Sequence, residues 1–164
     1  MSEVKEREWR NINVRRNRKY EALVEKLCSR KSSYSNKPVF EFNKDLMVFA
    51  AVLGYERSMK ENLDSDSIQI TLGTYASDEK DGYIYLLALL ESQKTESLKD
   101  VNLDASVKSF EQYCNGGLSI IQSWMDDNPG DIEGVDTLVD RIFDQLSLSS
   151  NDNDVEHAKK DVEF

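Results

Sequence analysis

The sequence predicts a mainly α fold, a compact bundle of about five helices with a small β element of two or three short strands. Three observations lead there. Apolar residues recur at spacings of three and four over most of the chain, which lines one face of a helix. Strict alternation occurs convincingly only once, at Ile68-Gln69-Ile70-Thr71-Leu72. At 164 residues, with 39% hydrophobic and 32% charged residues, the chain can bury one real core. The expected organisation is a flexible N-terminal segment (1–14), one helical domain (15–148) and a disordered acidic tail (149–164).

Taken in order, residues 1–11 are polar, and Ile12-Asn13-Val14 alternates once, enough for a short strand. From about Arg18 to Lys31 the pattern turns helical, with Tyr20, Leu23, Val24 and Leu27 on one face. Ser32 to Pro38 reads as a linker, because Pro38 disfavours helix before it. Val39-Phe40-Glu41-Phe42 reads as extended. Asn43 suits an N-cap for a helix from Lys44 to Leu53, with Asp45 in the first turn opposing the helix dipole. Ala50-Ala51 permits close packing, and Gly54 suits the C′ position. Residues 56–67 are charged and read as a surface loop.

After the strand at 68–72, Gly73 closes it and Asp78 is placed to cap the next helix. Tyr83 to Leu90 runs apolar all round and reads as a central helix. Val107, Phe110, Tyr113 and Cys114 form a further stripe, which resumes after Gly116-Gly117 with Leu118, Ile121, Trp124 and Met125. Two adjacent glycines inside a helical pattern cost about 1 kcal/mol each against Ala, so they ask for a break or a very close backbone approach. Asn115, Gly116 and Gly117 are therefore read as a structural pivot, with Asn115 capping the second half. Asp126 to Gly130 is a turn. The last helix carries Val135, Leu138, Val139, Ile142, Phe143 and Leu146 at spacings of three and four.

Several chemistries find no support in these residues. The single histidine, His157, lies in the expected tail, which removes Ser–His and Cys–His arrangements from the core. Cys28 and Cys114 fit neither a disulfide framework nor a zinc spacing and read as buried thiols of a reducing compartment. Asp126 to Asp131 fails as a calcium loop, because from Asp127 the third position is Pro129 and the twelfth is Leu138. Neither glycine-rich phosphate-loop pattern occurs. No membrane-length apolar run and no secretory leader is found, so a cytoplasmic, non-enzymatic protein without a cofactor is expected.

The formal net charge of −10 is unevenly placed. Residues 1–31 hold ten Lys/Arg against five Glu, giving +5, and the remainder is −15. Two surfaces follow as candidates. Arg15, Arg16, Arg18, Lys19 and Tyr20 form a basic cluster suited to a polyanion, a partner protein or the chain's own acidic remainder. Asp136, Asp140 and Asp144, with Glu133, put a row of carboxylates on one face of the last helix, which reads as a solvated face or a partner contact.

Three stretches carry a family resemblance. They are Arg16-Asn17-Arg18-Lys19-Tyr20-Glu21-Ala22-Leu23-Val24, the segment Pro38 to Tyr55 ending in Ala50-Ala51-Val52-Leu53-Gly54-Tyr55, and Phe110-Glu111-Gln112-Tyr113-Cys114-Asn115-Gly116-Gly117-Leu118. Their order and spacing resemble the DNA phosphorothioation-associated protein 4 (Dnd system-associated protein 4) family, in which the first stretch is a basic opening helix. The chain departs from that pattern at Cys114, where a small Ala is expected, and in its acidic tail. The resemblance implies an accessory protein of the bacterial machinery that places sulfur on backbone phosphates and attacks unmarked DNA. It carries over no catalytic residue. The expectation is an adaptor contacting proteins of a modification or restriction complex in anti-phage defence, with homo-oligomers admitted. The alternatives are a small DNA-binding regulator using the basic helix, or an acidic DNA mimic.

Overall fold

The computed structural model describes residues 8–160, with side chains described for 8–148. Among these residues it contains six α-helices and one two-stranded sheet, so the fold is mainly α with a small β element. A 3-10 turn at Trp9–Asn11 leads into β1 (Asn13–Asn17), and a second 3-10 turn (Arg18–Tyr20) leads into α1 (Glu21–Cys28). Then come α2 (Asn43–Glu56), β2 (Ser67–Thr71), α3 (Leu72–Ala76), α4 (Asp81–Ser92), α5 (Leu103–Asp127) and α6 (Val135–Lys160). The strands pair antiparallel, with Asn13 opposite Thr71 and Asn17 opposite Ser67.

The long helix α5 is the axis of the molecule. Phe110, Cys114, Leu118 and Ile121 are fully buried along it. Helix α2 lies against it through Leu46, Met47, Ala50 and Ala51. Tyr75 of α3 stacks edge-on against Phe110 at 5.9 Å, and its hydroxyl donates to Met47 Sδ at 3.2 Å. Ile84 and Leu87 bring α4 into the same core.

Several local expectations are corrected. The basic cluster is not on a helix: Arg15, Arg16 and Asn17 lie in β1, and Arg18 to Tyr20 form the 3-10 turn, so α1 begins only at Glu21. Pairing with β2 captures these residues before the helical pattern takes hold. Helix α2 starts one residue early, with Phe42 as N-cap and the Asp45 carboxylate accepting the Phe42 N–H at 3.2 Å. Gly54 does not end α2 but lies inside it, facing α5. Val39 to Phe42 forms no strand. Gly73 lies within α3, and Asp78 caps nothing; it sits in the turn before α4 and pairs with Lys44 at 2.9 Å.

The run Tyr83 to Leu90 is helical but not central. Only Ile84, Leu87 and Ala88 of α4 are buried, whereas Tyr83, Leu86 and Leu90 face out. The stripe of α6 is likewise turned outward, as Val139, Ile142, Phe143 and Leu146 are exposed. Among its described side chains the buried ones are Thr137 and Leu138. The backbone of α6 continues to Lys160, past residue 148, where the sequence reading places the end of the domain, and His157 falls beyond the described side chains. Residues 1–7 and 161–164 lie outside the described structure.

Candidate functional site

The basic cluster meets its own counter-ions. The Arg15 N–H and Nε both donate to Glu111 Oε1 of α5, at 2.8 and 3.3 Å. Arg16 is 1% exposed, and its Nη2 donates to Glu21 Oε2 at 2.8 Å. Arg18 pairs with Asp66 at 2.7 Å, and Lys19 pairs with Glu61 at 2.6 Å. The Tyr20 hydroxyl donates to Glu61 Oε2 at 2.6 Å. Burial together with this bond pushes the Tyr20 phenol up to about 12. Burial pushes the Glu61 carboxyl up, but bonds from Lys19, Tyr20 and Asn17 outweigh it and leave Glu61 below the usual range. Three acidic partners, Glu61, Asp64 and Asp66, come from the one loop between α2 and β2. The sequence marked this loop only as charged.

Beside this cluster lies the Asn115-Gly116-Gly117 segment. It is no break, since α5 runs unbroken from Leu103 to Asp127. A Cβ on Gly117 would lie 1.7 Å from the Ala50 carbonyl oxygen, and one on Gly116 would lie 2.0 Å from that of Met59. Gly54 answers from α2, where a Cβ would lie 2.1 Å from the Tyr113 carbonyl oxygen. The glycines therefore serve close helix approach. Asn115 does not cap a second half. Its Nδ2 donates to the Glu111 carbonyl one turn back at 2.8 Å, and its Oδ1 accepts the Asn17 N–H at 2.8 Å. Asn17 is itself fully buried and satisfied, donating to Glu61 and to the Asn62 carbonyl and accepting the Asp64 N–H at 2.6 Å. One buried amide pair thus joins β1, α5 and the acidic loop. The motif Asn-Gly-Gly signalled one half of it, and nothing local to Asn17 signalled the other.

An open groove of about 840 Å³ runs between β1 and α5, lined among others by Asn13, Arg15, Asn62, Lys108, Glu111 and Gln112. Glu111 is 3% exposed, and its burial raises the carboxyl, against the pull of the Arg15 N–H and guanidinium. Cys28 and Cys114 are both buried free thiols, pushed up to about 12 by burial, with the Arg16 charge pulling the other way. Among the described residues no group of three or more His, Cys, Asp or Glu is placed to hold a metal ion, and no helix is long and apolar enough to cross a membrane.

The acidic row of α6 divides. Glu133, just before the helix, accepts the Ser33 N–H at 3.0 Å and the Ser33 hydroxyl at 3.1 Å, and Asp136 accepts the Tyr34 hydroxyl at 2.9 Å. These two carboxylates tie the loop after α1 to the start of α6. Asp140 and Asp144 line an open hollow with Asp131, Asp136 and Arg141 and have no hydrogen bond or ion pair among the described residues. Asp131, unremarked in the sequence except as a failed calcium ligand, caps the helix. Its Oδ1 accepts the Gly134 N–H at 2.9 Å, and its Oδ2 accepts the Thr137 N–H and hydroxyl at 2.8 and 2.7 Å.

No curated protein and no solved structure matches the chain. A family model described as DNA sulphur modification system-associated protein 4 matches residues 13–163, which takes in β1, the buried asparagine pair, the glycine crossing and α6. The chain belongs to the DNA sulphur modification system-associated protein 4 family.

Proposed function

We propose that this protein is a non-enzymatic adaptor in a bacterial DNA phosphorothioate modification or restriction system serving anti-phage defence, and that it works by contacting protein components of that system. Family membership associates it with DNA sulphur modification. The single observation that favours an adaptor over a DNA-binding regulator is the internal neutralisation of the basic cluster. Arg15, Arg16, Arg18 and Lys19 each face a carboxylate of the same chain. A phosphate backbone would have to displace those carboxylates while approaching a chain of net charge −10.

Co-purification from native cells tests the reading. Recovery of a sulfur-modification or restriction component with the wild-type protein is expected, and recovery of the protein alone overturns it. A gel shift at low salt addresses the regulator alternative. Arg18→Glu/Lys19→Glu is the variant to compare, because both side chains are half exposed whereas Arg16 is core. Tight wild-type binding lost in this variant would favour direct DNA contact.

A further inference from the structure

We infer that the outward stripe of α6 is the docking face, and that its occupant is an amphipathic helix whose apolar stripe is flanked by Lys or Arg. This rests on the adaptor reading and names the chemistry of the partner.

Helix α6 has three sides. Thr137 and Leu138, with Gly134 before them, turn toward the body, where Gly134 meets Met125 and Leu27. Val139, Ile142 and Phe143 fall on a second side at spacings of three and four, and they are 44%, 42% and 64% exposed. Asp136, Asp140 and Asp144 repeat every fourth residue and form a third row, which borders the stripe on the Phe143 edge. A stripe of this kind on a bundle helix ordinarily faces the core. Here the hydrogen bonds that Asp131 accepts and the grip of Ser33 and Tyr34 on Glu133 and Asp136 fix the rotation of the first turn. That rotation leaves the apolar residues outside.

The charge beside the stripe selects the occupant. Asp140 and Asp144 have no hydrogen bond or ion pair among the described residues, and Arg141, which lines the same hollow, sits over Trp124 and pairs with Asp127 at 3.9 Å. The Phe143 edge of the stripe is therefore acidic. A second copy pairing antiparallel through the same stripe would bring two acidic rows to one seam, a like-charge arrangement that costs affinity. A helix with Leu, Ile or Phe anchors at i, i+3, i+4 and i+7 and basic residues beside them satisfies both features.

Two designed helix-forming peptides of about 20 residues test this, long enough to hold helix in water. They share one Leu stripe and differ in carrying Lys or Glu beside it. Titration calorimetry on the full chain should show binding of the Lys peptide and none of the Glu peptide. Ile142→Ser/Phe143→Ser should weaken the Lys peptide by roughly tenfold or more. Asp140→Asn/Asp144→Asn should weaken it several-fold, with a shallower dependence on salt. All four side chains are exposed, so the variants should melt like the wild type. Equal affinity of the Ser variant for the Lys peptide would reduce the contact to general acidity and overturn the inference. So would binding of the Glu peptide, or a wild-type dimer in sedimentation that the Ser variant loses. In native cells, a Ser variant that still recovers the modification components would sink this docking face while leaving the adaptor reading intact.

Discussion

Arg16 sits fully buried with one ion pair among the described residues, to the half-exposed Glu21, while its Nε and Nη1 have no hydrogen-bond partner among them. Desolvation of a guanidinium with two unfilled donors offsets what the single pair contributes. Arg16→Met is therefore expected to be no less stable than wild type to within about 1 kcal/mol by urea unfolding. The glycines give a sharper contrast. Gly117→Ala drives a Cβ into the Ala50 carbonyl and should cost about 3 kcal/mol or more, because two backbones must separate. Gly82→Ala in α4 meets nothing within 4 Å and should gain about 0.5–1 kcal/mol through the unfolded chain. The cost of Gly-Gly in a helix is visible in the sequence, and so is the demand for either a break or a close approach. Which carbonyl it approaches is not, since Ala50 and Met59 lie more than fifty residues away. The buried thiols make a further prediction. Cys28 and Cys114 should resist a thiol reagent at neutral pH until the chain unfolds, because both are pushed up to about 12 by burial.

At the level of elements, the helical pattern located α2, α4, α5 and α6 well, and alternation located β2. Their ends and orientations were less legible. The reading that puts Arg18 in a helix rather than next to a strand fails because β1 is held by pairing with a segment some fifty residues on. Local propensity cannot register such a partner. For α6, periodicity gives the stripe but not the direction it faces, which Asp131 and the loop after α1 decide. Asp131→Ala removes three hydrogen bonds at the head of α6 and should cost about 1 kcal/mol, read as a lower melting temperature by circular dichroism. Its effect should fade in acid. Burial raises the Asp131 carboxyl, but hydrogen bonds from Thr137 and Gly134 outweigh it and lower it, so the cap stabilises above the ordinary aspartate range and is lost as pH falls through the folded value.

Across the whole molecule the charge split of the sequence becomes an internal clasp. Positive residues of β1 and the following turn meet carboxylates of α1, α5 and the loop between α2 and β2. Glu61, Asp78, Glu91 and Asp131 are all held below the usual carboxylate range, in each case because bonds to cations, hydroxyls or amides outweigh the effect of burial or reinforce one another. Their contribution to stability is present above the unfolded carboxylate range and is lost as pH falls through their folded values. Glu111 works in the opposite sense. Burial raises its carboxyl, so it binds its proton more readily in the folded chain and gives up stability as pH rises through that window. Urea midpoints should therefore fall on acidification below the carboxylate range, and Glu111→Gln should make that fall steeper.

Composition, spacing and the three motif stretches determined by themselves that this is a mainly α chain, that it has one β element, and that it belongs beside DNA sulfur modification. Those properties depend on local periodicity and on residue order, which a linear text carries in full. The tertiary structure decided that the basic cluster is occupied, that Asn17 completes Asn115, and that α6 offers its apolar side to the outside. Each of those depends on which distant groups fill a given space, and hydrogen-bonding capacity or charge at one position does not encode which partner will meet it.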